Sequence, residues 1–206
     1  AEEVWNKCNA VLQQEDMSAR GMILKSNVTH LCTTDDPADS LEWHKKIKAD
    51  KSFNVQVLPA WRPEAAMKIA DKGFATYVRR LAGAAEMDIG SYDDFKAAMI
   101  KRLEFFNQMG CRASDHSLDY AMYVPATAAE IEDIFASALA GEDITYEEDL
   151  KFKTAFLLFI GREYKRLGWV MQLHYGVKRD NNSKMFKSFG ANAGCDCICL
   201  LYTSDA

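Results

Sequence analysis

The pattern of apolar and polar residues divides this chain into short strands and longer helices. Four short, mostly apolar stretches, at 27–34, 54–61, 111–118 and 169–177, indicate β-strands. Between them, apolar residues recur at three- and four-residue intervals, which indicates helices. Strands that alternate with helical segments favour parallel βα units, so we expect an α/β fold with a parallel sheet.

Local sequence signals mark several helix boundaries. Helices are predicted at 2–24, from a cap at Asp39 to about residue 48, and through most of 64–109. Capping motifs indicate further helix starts at Ser91 with Asp94, within 125–130, and at Thr145 with Glu148. Helix stops are predicted at Gly110 and Gly168, because glycine is favoured just beyond the last helical turn.

Two helical segments carry an apolar stripe. The first stripe is formed by Val4, Trp5, Cys8, Val11 and Leu12. The second is formed by Phe152, Phe156, Phe159 and Ile160. We expect the second stripe to pack against the sheet rather than to bind a membrane or a partner. The segment 77–80 is expected to be a solvated helix face, from which an arginine could reach an acidic ligand.

Polar side chains stand where each predicted strand ends. They are Asp35 and Asp36 after the first strand, Arg62 after the second, Asp115 and His116 in the third, and Gln172 and His174 in the fourth. Gln172 and His174 lie two apart and therefore share one face of an extended segment. Because the carboxyl ends of parallel strands meet at one edge of a sheet, we expect a site there.

Each of these residues also has a structural explanation. The segment 35–37, Asp-Asp-Pro, is typical of a turn and a helix cap, and Arg62 could be a surface arginine. Asp115 and His116 could form a buried pair that only orders a loop. The agreement of four strand ends, rather than any one residue, favours a functional site.

Composition disfavours several classes of function. The chain has 206 residues, a net charge of -5 and no dense stripe of Lys or Arg, so we expect no nucleic-acid surface. A local cationic pocket for an acidic small molecule remains open. No run of about 18 apolar residues indicates a transmembrane helix, and the first residues lack the basic and apolar regions of a signal peptide. We interpret His30 and His44, which lie away from the strand ends, as structural.

The six cysteines favour a reducing, cytoplasmic location. None forms a CxxC pair, and the cluster at Cys195, Cys197 and Cys199 lacks the spacing of a zinc knuckle. Cys32 and Cys111 lie in apolar strand-like runs, where we expect buried free thiols.

Four motifs resemble, in the same order, those of the uronate isomerase family of the amidohydrolase superfamily. They are CTTDDPADSLEWH at 32–44, LPAWRPE at 58–64, GCRASDHS at 110–117 and MQLHYGVKRDNNSKMF at 171–186. The second motif stands where the family has Phe-Arg-Pro-Asp. The resemblance extends from residue 2 to about residue 197, so it covers nearly the whole chain.

The resemblance implies a fold and a reaction. The fold is a partial (β/α)8 TIM barrel of the metal-dependent hydrolase type, with about four strands present and extra helical insertions. The reaction interconverts D-glucuronate with D-fructuronate, and D-galacturonate with D-tagaturonate, by metal-assisted proton transfer between C2 and C1. The expected partner is a small-molecule hexuronate, with no nucleic acid and no membrane, and homo-oligomerisation is left open.

By resemblance, the polar strand ends take defined roles. Arg62 matches the arginine that grips the substrate, since a planar guanidinium suits a carboxylate. His174 matches a histidine that faces the metal and the sugar. The candidates are His174, Asp115 and His116 as catalytic residues, and Arg62, Asp35, Asp36 and Gln172 as substrate-binding residues.

The chain departs from the family at its metal site. The family's divalent metal, typically zinc, is held by a His-x-His pair on the first barrel strand and an aspartate after the last strand. This chain has no His-x-His pair, so we expect the main metal ligands in the full-length protein to lie outside it.

The departures lead us to interpret the chain as an internal part of the protein. Residues 1–197 are then part of a single barrel catalytic domain, and residues 198–206, which do not match, are a non-native or truncated tail. The chain alone is expected to be inactive and poorly stable, because half a barrel leaves strand edges and apolar faces uncovered.

Two other functions remain open. Another hydrolase of the superfamily would need a carbamylated lysine or a second metal centre, and the strand at 27–34 has no lysine, which disfavours it. A non-catalytic sugar-acid-binding barrel would retain the pocket without the metal.

Overall fold

The computed structural model describes residues 1–191 and 193–198, and the chain divides into two compact units. The first unit contains residues 1–33 and 40–59, and the second contains residues 34–39 and the chain from residue 60 onward. Two strands therefore begin in the first unit and end in the second. The single domain at 1–197 stays a prediction, and all but one residue of the predicted tail lies outside the described residues.

The first unit is largely helical. It contains α1 (Glu2–Leu12), a 3-10 turn (Glu15–Met17), α2 (Ala19–Lys25) and α3 (Glu42–Ala49), with the beginnings of β1 (His30–Asp35) and β2 (Gln56–Trp61). His44 of α3 is buried, and its Nε2 atom lies 2.7 Å from the hydroxyl of Thr33. This contact ties α3 to β1 and supports the structural role predicted for His44.

The helix predicted at 2–24 is broken between α1 and α2. Ser18 caps α2 by accepting a hydrogen bond from the N–H group of Gly21 at 3.1 Å. Gly21 lies so close to the 3-10 turn that a Cβ atom on it would be 2.3 Å from the carbonyl oxygen of Asp16. Glycine allows this close approach because it has no side chain, and the tight turn prevents a single continuous helix.

Local apolarity was not sufficient to predict which surfaces are covered. On α1, Val4 and Trp5 keep 64% and 67% of their surface exposed. Cys32 on β1 is also exposed, so the prediction of a buried thiol there was wrong, whereas Cys111 is buried as predicted. An apolar stripe indicates only which residues share a face, and the tertiary packing decides whether that face is covered.

The start of α3 differs from the prediction. Its N-cap is Leu41, which has a φ angle of 52°, and not Asp39. The carboxylate of Asp39 instead accepts a hydrogen bond from the N–H group of Asp36 at 3.0 Å. The prediction of a capping Asp39 was wrong because this side chain closes the loop after β1, as aspartates commonly do in turns.

The second unit contains the parallel pairing that carries the predicted strand ends. β3 (Ala113–Ser117) and β4 (Val170–His174) join the ends of the first two strands in the order β1-β2-β3-β4. β3 is parallel to both neighbours, with Trp61 in register with Ser114 and Ser117 in register with His174. The predicted α/β class is therefore confirmed.

Helices surround an aromatic core in the second unit. They are α4 (Glu64–Met67), α5 (Phe74–Ala85), α6 (Tyr92–Gln108), α7 (Ala128–Ala140), α8 (Tyr146–Leu167) and α9 (Ser183–Phe189), and a ribbon of β5 (Val177–Lys178) and β6 (Cys197–Ile198) follows β4. Phe152 and Phe156 are fully buried, and their rings contact aromatic rings of α5, α6 and α7. Core packing of the Phe-rich stripe is therefore confirmed, whereas its contact with the sheet stays a prediction. Among the described residues, no helix combines the length and apolarity needed to cross a membrane.

The predicted caps are present on three helices of this unit. Capping boxes are formed by Ser91 with Asp94, Thr127 with Glu130, and Thr145 with Glu148. They satisfy N–H groups that have no partner within the first helical turn. α6 ends just before Gly110, and α8 ends at Gly168, whose φ angle is 69°. Local signals were therefore sufficient to place these ends.

Replacing Gly168 with alanine is expected to lower the free energy of unfolding by about 1 kcal/mol, because residue 168 has a left-handed backbone conformation that a Cβ atom disfavours. Gly83→Ala in α5 is the matched control and is expected to leave stability unchanged or raise it by up to about 1 kcal/mol. Among the described residues, no atom lies within 4 Å of a Cβ built at either position. Urea unfolding measures both variants, and equal effects would contradict the backbone explanation.

Candidate active site

The parallel register brings Arg62 and Asp115 together. Trp61 at the end of β2 is in register with Ser114 of β3, so the next residue on each strand is also adjacent. The Nη1 atom of Arg62 donates a hydrogen bond to Oδ2 of Asp115 at 3.1 Å. Two candidates that lie far apart in the sequence are therefore in direct contact.

His174 completes this cluster from β4. Its Nε2 atom lies 3.1 Å from Oδ1 of Asp115, the carboxylate oxygen that Arg62 does not contact. The Asp115 side chain is only 16% exposed, whereas the side chains of Arg62 and His174 are 32% and 54% exposed. A covered carboxylate thus lies between a guanidinium and an imidazole that both reach solvent.

The guanidinium of Arg62 is also held from α4. Its Nε atom donates to Oε2 of Glu64 at 3.0 Å, and Lys68 contacts the other oxygen of Glu64 at 3.0 Å. Burial alone would raise the pKa of Glu64, but the contacts with Lys68 and Arg62 lower it below its usual value. Glu64 is therefore ionised at neutral pH and holds Arg62 in place by charge.

An open cavity of about 320 Å³ lies beside Arg62. Its lining residues are Thr34, Asp35, Asp36, Asp39, Arg62, Glu64, Ala65 and Lys68. The cavity has the size of a small-molecule site, and three of the predicted substrate-binding residues share it. The backbone contributes to the arrangement, because the N–H group of Arg62 donates to the carbonyl of Asp35 at 2.9 Å.

Asp36 has its own structural contacts within the loop that lines the cavity. Its Oδ1 atom accepts a hydrogen bond from the N–H group of Ala38 at 2.9 Å and pairs with Arg80 of α5. Burial raises the pKa of Asp36, although both of these contacts lower it. Arg80 was expected on a solvated face from which it could reach an acidic ligand, and it pairs with this internal acid. Asp36 therefore orders the loop.

Arg102 of α6 also holds the loop after β1, a role that the sequence analysis did not identify. It is buried, and its guanidinium donates to the carbonyl oxygens of Pro37 and Asp39 at 2.8 and 2.7 Å. It also donates to the carbonyl of Ala84 at 3.0 Å. Nothing in the local sequence distinguishes it from an exposed helical arginine.

Gln172 and His116 fall on opposite faces of the sheet. Gln172 is in register with Asp115 and is exposed, so Asp115, Gln172 and His174 define a site face. Ser114 and His116 define a helix face, and both are 1% exposed. The Nε2 atom of His116 lies 3.0 Å from the hydroxyl of Tyr164 on α8. The structure therefore does not bring His116 to the catalytic cluster predicted for it.

Burial controls the charge of His116. Burial lowers its pKa to about 4, and the nearby charge of Asp115 opposes this shift only weakly. The imidazole is therefore neutral at physiological pH. A buried neutral histidine bonded to a tyrosine fits a structural contact better than a proton carrier at the sugar.

Arg179, in the charged loop after β4, is a second residue that the sequence analysis did not single out. Its Nη2 atom donates to the hydroxyl of Ser117 at 3.0 Å, and its Nη1 atom donates to Asp196 at 2.7 Å. Ser117 is in register with His174, so Arg179 brings a second guanidinium to the end of β3. The charged motif at 171–186 signalled this loop but not this residue.

The described residues do not form a complete metal site. Within 1–191 and 193–198, no three His, Cys, Asp or Glu side chains are grouped closely enough to hold a metal ion. Asp115 and His174 are adjacent, but catalytic zinc typically has three protein ligands. These two residues alone therefore do not fit the metal that the resemblance implies.

Comparison with known proteins gives one family. The profile of the glucuronate isomerase family matches residues 1–203. A uronate isomerase from Lachnoclostridium phytofermentans is 55% identical over 198 residues, which are 96% of this chain and 42% of that protein. The chain thus spans about two-fifths of the length of the curated relatives that it matches.

Solved structures give the same result. The crystal structure of uronate isomerase from Thermotoga maritima matches with a TM-score of 0.79 and 33% identity, over 87% of this chain and 40% of that chain. The crystal structure of glucuronate isomerase from Caulobacter crescentus matches with a TM-score of 0.83 and 27% identity, over 94% and 40%. The predicted fold class, part of a (β/α)8 barrel of the amidohydrolase type, is confirmed.

The buried state of His116 predicts a specific loss of stability in acid. Its pKa is about 4 when folded and about 6.5 when exposed, so its contribution is complete above pH 6.5 and is lost as pH falls toward 4. Between pH 7.5 and 5 the loss is expected to be about 2 kcal/mol. Urea unfolding at both pH values measures it, and His116→Gln should remove that part of the pH dependence. An identical pH dependence in the variant would contradict the assignment.

Proposed function

The chain belongs to the uronate isomerase family, and on that basis we propose that the protein to which it belongs is an aldose–ketose isomerase of hexuronates. Its reactions are D-glucuronate to D-fructuronate and D-galacturonate to D-tagaturonate. The observation that supports this most directly is the contact of Asp115 with both Arg62 and His174. Of these three residues, Arg62 also lines the open cavity.

Arg62 is suited to bind the carboxylate of a sugar acid. A guanidinium has five N–H groups. One N–H group of Nη1 contacts Asp115, and Nε–H and one N–H group of Nη2 contact Glu64. Two N–H groups therefore remain for a ligand. The carboxylates of the lining are offset in part, because Asp36 pairs with Arg80, and Glu64 pairs with Lys68 as well as Arg62. The lining still holds more acidic than basic side chains, so Arg62 would bind an anionic substrate through these directed N–H groups rather than through an excess of positive charge.

His174 is suited to move the proton between C2 and C1. Its Nε2 atom faces the carboxylate of Asp115 at 3.1 Å, which leaves Nδ1 for the sugar. Taking the C2 proton at Nδ1 leaves an enediolate of the substrate. The proton of the C2 hydroxyl then passes to the C1 oxygen, and return of the proton from Nδ1 to C1 gives the ketose. The negative charge of Asp115 stabilises the imidazolium between the two steps. Gln172, on the same face, is a candidate donor to a substrate hydroxyl.

We propose that a divalent metal, with zinc as the first candidate, takes part in the complete protein. Its ligand set then includes residues other than the described ones, since Asp115 and His174 are fewer than such a site needs. Every step assigned above belongs to side chains of this chain. Asp35 and Asp36 order the mouth of the cavity, and His116 supports the sheet from its helix face.

The cellular location and assembly state stay predictions. Within the described part of the chain, Cys8, Cys32, Cys195 and Cys197 are free thiols. Free thiols support a reducing compartment, and we propose the cytoplasm. Homo-oligomerisation is left open, and the proposed partner is the hexuronate itself.

Substituting Arg62 with lysine is expected to lower kcat/KM for glucuronate about 100-fold, equivalent to about 3 kcal/mol, because lysine cannot reproduce the planar contacts. Arg79→Lys is the matched control, since Arg79 is exposed on α5 and, among the described residues, its side chain bonds only to Thr76 of the same helix. Steady-state kinetics of the full-length protein compare the two variants. Equal kinetics in both would remove Arg62 from the proposed site.

Conversion of glucuronate or galacturonate to the ketose tests the reaction itself. The full-length protein supplied with Zn²⁺ is expected to convert at least one of these sugars, and chelation is expected to lower the rate at least about tenfold, with recovery on Zn²⁺ addition. Metal content measured beside the rate is the control. Absence of turnover of both sugars in the metal-loaded protein would contradict the proposed function. Full turnover in metal-free protein would contradict only the metal.

A further inference from the structure

A buried polar group lies directly behind the candidate site, on the helix face of the sheet. Tyr164 of α8 is 1% exposed, and its hydroxyl lies 3.0 Å from Nε2 of His116. The phenol ring stacks on Trp169 with a centroid distance of 5.8 Å, and Trp61 meets the same tryptophan at 6.3 Å. A tyrosine hydroxyl is thus held in an aromatic environment beside the two strands that carry Arg62 and Asp115.

Two further polar groups face the Tyr164 hydroxyl. Burial raises the pKa of Tyr164 well above its usual value, and the nearby polar side chains of Ser114 and Trp61 oppose this rise. Ser114 and Trp61 are 1% and 0% exposed. Neither the hydroxyl of Ser114 nor the Nε1 atom of Trp61 has a hydrogen-bond partner among the described residues. We therefore assign the contact with His116 as the main polar contact of the Tyr164 hydroxyl.

The residues around Tyr164 are the immediate neighbours of the site residues. Trp61 directly precedes Arg62, and Ser114 and His116 stand on either side of Asp115. Because successive side chains of a strand point to opposite faces, holding these three on the helix face aims Arg62 and Asp115 at the site face. α8 therefore contacts, from behind, the segments of β2 and β3 that carry the site.

We propose that Tyr164 and His116 are positioning residues of the isomerisation, which together fix the spacing of Arg62 and Asp115 from the helix face. This inference rests on the proposed function. Neither residue touches the substrate. On the site face, the described residues give the Asp115 carboxylate two polar contacts. It accepts a hydrogen bond from Arg62 at 3.1 Å and lies 3.1 Å from His174. A shift of about 1 Å in such a group costs about 100-fold in rate.

Tyr164→Phe is the decisive variant, because it removes only the hydroxyl. In the full-length, metal-loaded protein it is expected to lower kcat about 10- to 100-fold, with a smaller change in KM. Tyr92→Phe is the matched control. Tyr92 is also a buried tyrosine on a helix of the second unit, and its hydroxyl has no hydrogen-bond partner among the described residues. It is expected to leave kcat within about twofold.

If Tyr164 is a positioning residue, the loss of kcat in Tyr164→Phe must arise from misplacement of Asp115. Asp115→Asn is expected to lower kcat, and adding Tyr164→Phe to it should cause little further loss, because residues acting through one another are not additive. His116→Gln retains a polar group near the position of Nε2, so it should keep at least about five times the activity of His116→Leu.

The outcomes separate this inference from the proposed function. An inactive wild-type protein contradicts the proposed function, whatever the variants do. An active wild type with equal kcat in Tyr164→Phe and Tyr92→Phe contradicts the positioning role. So does full additivity of Tyr164→Phe with Asp115→Asn, since a structural role alone would lower activity independently of Asp115.

Discussion

The carboxylate of Asp115 is the group through which the parts of the candidate site meet. One of its oxygens accepts a hydrogen bond from Arg62, and the other lies 3.1 Å from His174. These three side chains come from three neighbouring strands, so their contact depends on the parallel register of β3 with β2 and β4. A one-residue slip of β3 would turn Asp115 to the helix face and bring a neighbouring residue to the site face.

Support for this arrangement comes from helices rather than from the strands alone. α4 holds Arg62 through Glu64, and α6 holds the loop after β1 through the buried Arg102. α8 contacts the sheet from its helix face through Tyr164 and His116. Buried polar contacts of this kind are stronger in a low-dielectric interior and costly to leave unpaired, so they favour one arrangement over others. The site is thus fixed on both sides of the sheet.

The two histidines of the predicted cluster illustrate why position along a strand is not sufficient to assign a role. His174 is half exposed beside Asp115, whereas His116 is buried and neutral. Their different environments follow from the face that each occupies, not from the residue type. Arg102 and Arg80 show the same for cations. The buried Arg102 holds backbone carbonyls, whereas Arg80 is exposed on α5 and pairs with the partly buried Asp36.

Features that depend only on residues close together in the chain could be predicted from the sequence. The capping boxes at Ser91, Thr127 and Thr145 and the stop at Gly168 are local hydrogen-bond and backbone effects, and they formed as predicted. The α/β class followed from the alternation of strands and helices. Arg62, Asp115 and His174 were predicted to meet because parallel strands end at one edge.

The face of each element that becomes covered depends on the packing of segments that are distant in the chain. The alternation of a strand places Asp115 and His116 on opposite faces, but the packing of α8 against one of them decides which faces the site. The same reason applies to Cys32, which local apolarity predicted to be buried and the structure leaves exposed. The apolar stripe on α1 is exposed as well. Periodicity defines faces, whereas burial depends on residues distant in the chain.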